Sequence, residues 1–282
     1  FFIQAKGNYA MIKLVLKAKK KINGILNLRN ISMLNNINMN KKFIKDIPLT
    51  YKNKNIGLSE VFSINISKSK KKINEISIIG CNEFCNNLGY KWKNDLLKVN
   101  SNLGSHIGNE MTSGKIIIDG SVENYLGSGM KDGLIIVKGN ANDFAGSASF
   151  HSRHGMSGGE IMIEGNLGNF SCNFMRKGLM IVKGNVGNYS CFNMVAGTLI
   201  VLKNIGENIG ISMKRGTIIS KLGVVLKNNY EKSGEFDLGF IKMLNSHLKI
   251  NYSIKLAKNS EKFARYVGDK NLNGLGEIFI KK

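Results

Sequence analysis

Short apolar runs recur at a fixed step through the middle of the chain: Ile116-Ile117-Ile118, Ile135-Ile136-Val137, Ile161-Met162-Ile163, Met180-Ile181-Val182, Leu199-Ile200-Val201 and Ile218-Ile219. Each follows a methionine and, three places after it, a glycine. The methionines are Met111, Met130, Met156, Met175, Met194 and Met213, at intervals of 19, 26, 19, 19 and 19 residues, and the glycines are Gly114, Gly133, Gly159, Gly178, Gly197 and Gly216. A unit of about 20 residues with a single three-residue, largely β-branched run is too short for a helix pair, and it predicts an all-β fold of stacked parallel coils. The glycines suit corners, where the chain turns through positive φ or passes close to a neighbouring coil.

Counted from each methionine, places five and seven are apolar in nearly every repeat and face the interior by the two-residue period of a strand. Place four (Lys115, Leu134, Glu160, Leu179, Thr198, Thr217) and place eight (Asp119, Lys138, Glu164, Lys183, Leu202, Lys221) are mostly polar and face outward. Place six shares that outer face, yet it holds Ile117, Ile136, Met162, Ile181, Ile200 and Ile219. An outer ladder of six large apolar side chains is a binding surface unless something covers it. Two covers are open: a terminal segment of this chain, with a short helix around Phe240-Ile241-Lys-Met243-Leu244, or a partner protein. The methionines are most simply adaptable filler at a corner of the core.

The rhythm breaks once. Seven extra residues between Gly146 and Met156 form a loop containing His151, Ser152, Arg153 and His154, and insertions in repeat proteins emerge on one face, often the binding face. These four, with the six outer residues, are the candidate interface. Before the first clear repeat, Gly80, Gly89, Trp92 in the methionine slot, Leu97 and Val99 make a degenerate one. The expected organisation is an upstream extension over 1–10, an N-terminal cap region over 11–75, the repeats over 76–223 and a C-terminal cap or interaction segment over 224–282.

The chain has 282 residues, a single proline and a formal net charge of +22. Lys and Arg outnumber Asp and Glu by 19 to 5 in residues 1–100, 11 to 8 in 101–222 and 11 to 6 in 223–282, so the excess sits in the flanks. It is almost all lysine, travels with asparagine and isoleucine, and has no interleaved aromatics for stacking on bases, which argues against a nucleic-acid partner. Genome composition accounts for it, as does attraction to a polyanionic ligand or an acidic sister subunit. No apolar stretch approaches the roughly 20 residues that span a bilayer. Nothing at the start reads as a signal peptide, so a cytoplasmic protein with no membrane partner is expected.

Cys81 and Cys85 have no partner pair at metal-ligand spacing, and Cys172 and Cys191 occupy the same place in adjacent coils, so no metal site is expected. There is no phosphate-binding lysine loop, no nucleophile elbow and no HExxH. Glu160 and Glu164 are the nearest approach to the carboxylate pair of a stand-alone carbohydrate-active β-helix, but their spacing fits alternating surface charge. No catalytic residue is assigned, and no cofactor is expected on this chain.

The pattern G-x-x-M-x-x-G-x-I-x-[IV]-x-G, as in Gly108-Asn-Glu-Met111-Thr-Ser-Gly114-Lys-Ile-Ile-Ile118-Asp-Gly120, resembles the GXGXG β-helix domain shared by glutamate synthase large subunits and the β-helix subunit of formylmethanofuran dehydrogenases. The insertion Ser152-Arg153-His154-Gly155-Met156-Ser-Gly-Gly159 is similar to the Ser-Arg-x-Gly-Met-x-Gly-Gly segment of the latter. The stretch Phe263-Ala-Arg265-Tyr266-Val-Gly268-Asp269, followed by Gly274-Leu-Gly276-Glu277-Ile278, resembles the C-terminus of the same dehydrogenase subunit, particularly in the bacterial formyltransferase/hydrolase complex. The departures are Cys172 and Cys191 in place of glycine, and Lys203 and Leu222 where earlier coils close on glycine. The resemblance implies a right-handed parallel β-helix of about 19 residues per coil with small α/β terminal caps. It also implies a non-catalytic scaffold in one-carbon metabolism, partnered by amidohydrolase-like and formyltransferase subunits. Those sister subunits would carry the methanofuran-type carrier, tetrahydromethanopterin and the metal centres. A detached glutamate-synthase-type domain in ammonia channelling is the alternative that the same motif leaves open.

Overall fold

The apolar runs become strands stacked in parallel. The computed structural model describes residues 11–35, 41–69, 73–149, 152–258, 261–272 and 274–282, so the expected upstream extension over 1–10 lies outside them. The N-terminal region supplies β1 (Ile12–Ala18), β2 (Leu26–Asn27), β3 (Pro48–Tyr51), β4 (Lys54–Gly57), β5 (Phe62–Lys68), β6 (Glu75–Ile79), β7 (Cys85–Asn86) and the short helices α1 (Lys41–Lys45) and α2 (Leu58–Val61). The repeats supply β8 (Leu96–Val99), β9 (Lys115–Ile118), β10 (Leu134–Val137), β11 (Ser157–Ile163), β12 (Lys177–Val182), β13 (Thr198–Val201) and β14 (Thr217–Ser220). After them come β15 (Glu231–Phe236), α3 (Gly239–Tyr252), β16 (Phe263–Gly268) and β17 (Gly276–Lys281).

The fold is mostly β and β-helix-like, dominated by a 13-stranded sheet ordered β15-β16-β17-β14-β13-β12-β11-β10-β9-β8-β6-β1-β5. From β1 to β17 the neighbours run parallel, and Leu97, Ile116, Ile135, Ile161, Met180, Leu199, Ile218 and Ile278 stand in one buried row. A second parallel ladder runs through single bridges from Leu103 to Val122, Ala141, Leu167, Val186 and Ile205. The core lies between these two ladders and the methionine corner, where all six methionines are buried. Trp92 is buried in the slot ahead of Met111, and its carbonyl accepts the Thr112 N–H as the Met111 carbonyl accepts that of Lys131.

The methionines and glycines recur together because they touch across repeats. A Cβ added at Gly133 would lie 2.6 Å from the Met111 methyl, one at Gly159 2.7 Å from that of Met130, and one at Gly178 2.7 Å from that of Met156. The series continues from Met175 to Gly197, from Met194 to Gly216 and from Met213 to Gly276. Each methyl therefore fills the space where the next repeat omits a side chain. The last pairing also places the final rung: β17 follows β14 directly, Thr217 opposite Glu277, although 60 residues separate them in sequence.

Both edges of the sheet are antiparallel. β5 covers β1 at one end. At the other, β15 carries Glu231, Lys232 and Glu235 and shifts register between Lys232 and Gly234, two devices that discourage pairing with another chain.

Gly197 isolates the methionine contact, because the three atoms nearest an added Cβ all belong to Met175. Gly197→Ala is expected to cost about 2–4 kcal/mol, from its φ of +111° and from the clash. In a Met175→Ala background the clash disappears, so urea denaturation of the double-mutant cycle should show a coupling of at least about 1 kcal/mol. Strict additivity would reject the contact.

Candidate functional site

The outer strip is largely closed by this chain itself. α3 places Ile241, Leu244, Leu248 and Tyr252 at helical spacing, and these pack with Ile254, Leu256, Ala257, Phe263 and Phe279 onto Met162, Ile181, Ile200 and Ile219. Asn245 locks the following segment, its amide donating to the Ala257 carbonyl at 2.6 Å and its oxygen accepting the Leu256 N–H at 2.9 Å. Of the two covers left open by the sequence, the terminal segment is the one present, through a helix longer than the short one expected. Burying each of these strip side chains is worth about 1.5–3 kcal/mol relative to leaving it exposed. Met162, Ile181, Ile200 and Ile219 are therefore corrected from docking residues to core residues, whereas Ile117 and Ile136 remain half-buried.

Where the cover ends, a polar cluster ties it down. Both oxygens of Glu160 lie within reach of His247 Nε2, at 3.0 and 3.1 Å, and the Tyr252 hydroxyl donates to the same carboxylate. Asn251 Nδ2 sits 3.1 Å from His247 Nδ1. Burial, and then the Glu160 carboxylate that holds its proton, push the Tyr252 hydroxyl above the ordinary tyrosine range. These groups satisfy one another and fasten α3 to β11, and together they line an open groove of about 610 Å³ beside Lys115, Leu134 and Leu179. Glu164, the other member of the possible carboxylate pair, is 3.0 Å from Lys183 Nζ and belongs to a surface charge ladder.

The insertion forms the rim of a second feature. His151 lies outside the described residues; Ser152 is half-buried, and Arg153 and His154 are exposed. The Ser152 hydroxyl accepts the His154 N–H at 3.0 Å, and the Gly155 N–H donates to the Phe174 carbonyl, which seats the loop on the following repeat. Ser152 and His154, with Glu110, Ser128, Lys131 and Arg176, line a groove of about 430 Å³. Its lining is polar and of mixed charge, with the cations of Lys131 and Arg176, the carboxylate of Glu110 and the hydroxyls of Ser128 and Ser152. Among the described residues, no group of three or more His, Cys, Asp or Glu side chains is arranged to hold a metal. The four cysteines are free and buried, and burial together with the neighbouring Cys172 raises the Cys191 thiol well above its ordinary range.

Two surface features escape the expected site. His106, Tyr125, Phe144, Phe170 and Tyr189 stack face to face across five repeats, with centroids 4.9 to 5.4 Å apart. Each sits at positive φ. Their signal was a ring five places before a methionine, masked at Phe144 by the insertion. Beside them, the Asn102, Asn140, Asn166 and Asn185 side-chain oxygens each accept the backbone N–H of the next repeat, and Ser121 does the same for Asn140. Much of the asparagine is thus structural rather than compositional.

At the far end, Asp269 is 1% exposed. Burial works to raise its pKa, but the Ser212 and Asn271 N–H groups, each at 3.0 Å, and the Asn229 side chain prevail and hold the carboxyl below its usual range. A carboxyl depressed on folding contributes stability that is present above its unfolded pKa and lost as pH falls through the folded value. Asp269→Asn should therefore flatten the stability-against-pH curve on its acid side, measured by urea midpoints from neutral to acid pH; an unchanged slope would contradict this. Glu160→Ala removes the acceptor of both Tyr252 and His247 and should cost about 1–3 kcal/mol. The loss should appear as faster hydrogen exchange in α3 than in β9 to β14, and equal protection of α3 would refute the fastening.

Residues 97–233 match the family described as GXGXG motif. No curated protein matches the sequence. Among solved structures, the chain is similar to one chain of the X-ray crystal structure of the formyltransferase/hydrolase complex (FhcABCD) from Methylorubrum extorquens in complex with methylofuran. The two share 25% identity with a TM-score of 0.85, over 95% of this chain and 99% of that one.

Proposed function

We propose, on the premise that residues 97–233 belong to the GXGXG motif family, that this chain is a non-catalytic scaffold subunit of a formyltransferase/hydrolase-type complex in one-carbon metabolism. The observation that carries the reading is the length of the likeness: 99% of a chain from a multi-subunit formyltransferase/hydrolase complex is matched, flanks included. A likeness confined to the repeats would fit any protein with this motif. In this reading the chain winds as a right-handed parallel β-helix of about 19 residues per coil. The side chains favour the same role. The carboxylate–imidazole–phenol cluster fastens α3, and the hydroxyls of the insertion groove, beside Glu110, Lys131 and Arg176, make no hydrogen bond to a base among the described residues. Amidohydrolase-like and formyltransferase sister subunits supply the chemistry, and the methanofuran-type carrier, tetrahydromethanopterin and metal centres belong to them.

Co-expression with such sister subunits, followed by affinity capture on this chain and size-exclusion chromatography, should yield one stoichiometric complex. The complex should hydrolyse the formyl group, and this chain alone should not. A chain that stays apart from the sister subunits, or that hydrolyses the formyl carrier unaided, would overturn the reading.

A further inference from the structure

α3 has two apolar faces, and the chain uses one. The inner face, Ile241, Leu244, Leu248 and Tyr252, closes the strip. On the outside, Phe240, Met243 and Ile250 lie at i, i+3 and i+10, one side of the helix within reach of another helix packed along it, while His247 between them turns its ring to Glu160 on β11. Phe240 is held at its base by Phe279, with ring centroids 5.4 Å apart, but Met243 is 77% exposed and Ile250 82% exposed. A single exposed apolar side chain is ordinary; two at nearly full exposure on one line, on a helix fastened through its C-terminal turn, form an ordered surface. The fastening matters because the hydrogen bonds of His247 and Tyr252 to Glu160 hold α3 on β11, which fixes the direction in which Met243 and Ile250 are presented.

We infer that this outer seam of α3 docks an amphipathic helix of a sister subunit, one whose own apolar stripe is bordered by carboxylates. The inference rests on the reading of the chain as a subunit of a larger complex. Charge selects the occupant. Lys249 lies beside Ile250 and forms no ion pair among the described residues, Lys242 is paired with Asp237 at 3.0 Å, and the whole chain carries +22, so a second copy would bring like charges together, whereas an acidic helix is attracted. The mode is a helix laid along an apolar stripe with anchors at i, i+3 and i+10. Its anchors are Phe240, Met243 and Ile250.

The test uses the full chain co-expressed with the sister subunits. Because Met243 and Ile250 are exposed, Met243→Glu with Ile250→Glu should leave the melting temperature of the isolated chain unchanged. The same double variant should weaken capture of a sister subunit by about 100-fold, the effect of removing two central anchors. Val225→Glu, equally exposed at 83% but away from the helix, should assemble like the wild type. Lys249→Glu should weaken assembly at low salt and less so at high salt. Normal assembly of the Met243→Glu, Ile250→Glu variant would overturn the seam while leaving the subunit reading intact; failure of the wild type to assemble at all would remove the subunit reading itself. A wild-type homodimer that the double variant abolishes would make a second copy the occupant and refute the acidic partner helix.

Discussion

The stack depends on one contact repeated six times, a methionine methyl resting where the glycine of the following rung has no side chain. It sets two requirements at once. The glycine must lack a Cβ because the methyl occupies that volume, and from Gly133 to Gly216 it must also turn through a φ between 79° and 111°, which other residues reach only with strain. An unbranched thioether suits the other half of the contact, since it adjusts over three torsions to the spacing of each pair. Because the contact joins successive rungs rather than residues near in sequence, it tolerates the seven-residue insertion, which leaves between Gly146 and Met156 without disturbing the pairs Met130 with Gly159 and Met156 with Gly178. It also tolerates the 60-residue excursion before β17, because Gly276 returns to receive Met213.

Given that ladder, the remaining sides follow from satisfying backbone groups. The turn ahead of each methionine passes repeatedly through the left-handed region, as at Phe170, Cys172 and Phe174 with φ of 51°, 60° and 56°. Cys172 and Cys191 accept a strain that glycine avoids at Gly108 and Gly127, and they place a thiol in the buried core in return. The aromatic stack recovers part of the cost of non-glycine residues at such positions, since each ring pair is worth about 0.5–1.5 kcal/mol beyond area burial. The asparagine ladder then accepts N–H groups that a single bridge per repeat leaves over.

Much of this was legible because the repeat is strict. Places five and seven could be assigned to the interior and place six to an outer face needing cover from Ile181 and Ile200 alone, by the two-residue period. The cover was legible only as a choice between a terminal segment and a partner protein, because an apolar helix such as α3 is itself as ready to dock outward as to fold back on its own sheet. Glu160 with His247, 87 residues apart, and β17 with β14 are contacts between segments that share no periodicity, so no local pattern announces them. The repeating methionines end at Met213, whereas the rung that follows β14 needs only the receiving glycine, Gly276, and an apolar run, Ile278-Phe279-Ile280. The aromatic stack was hidden for a different reason: rings at positive φ contradict ordinary propensity, so they read as loop.

Closing the strip internally changes where a partner can act. A solenoid-like stack with a bare apolar ridge would depend on its neighbours for solubility, and its interface would be whatever covers the ridge. Here α3 converts four of the six ridge residues into core and transfers the accessible apolar surface to its own outer side, raised one helix diameter, about 10 Å, above the sheet. A surface presented on a single fastened helix is smaller than the ridge, so it discriminates better between partners, because a seam of three anchors must be matched in spacing as well as in polarity. The Glu160 cluster then has a role at a distance from any chemistry. By fixing the C-terminal turn of α3 on β11, it holds the inner face in the core, so the proposed docking of the outer face would draw on the same few hydrogen bonds as the stability of the fold.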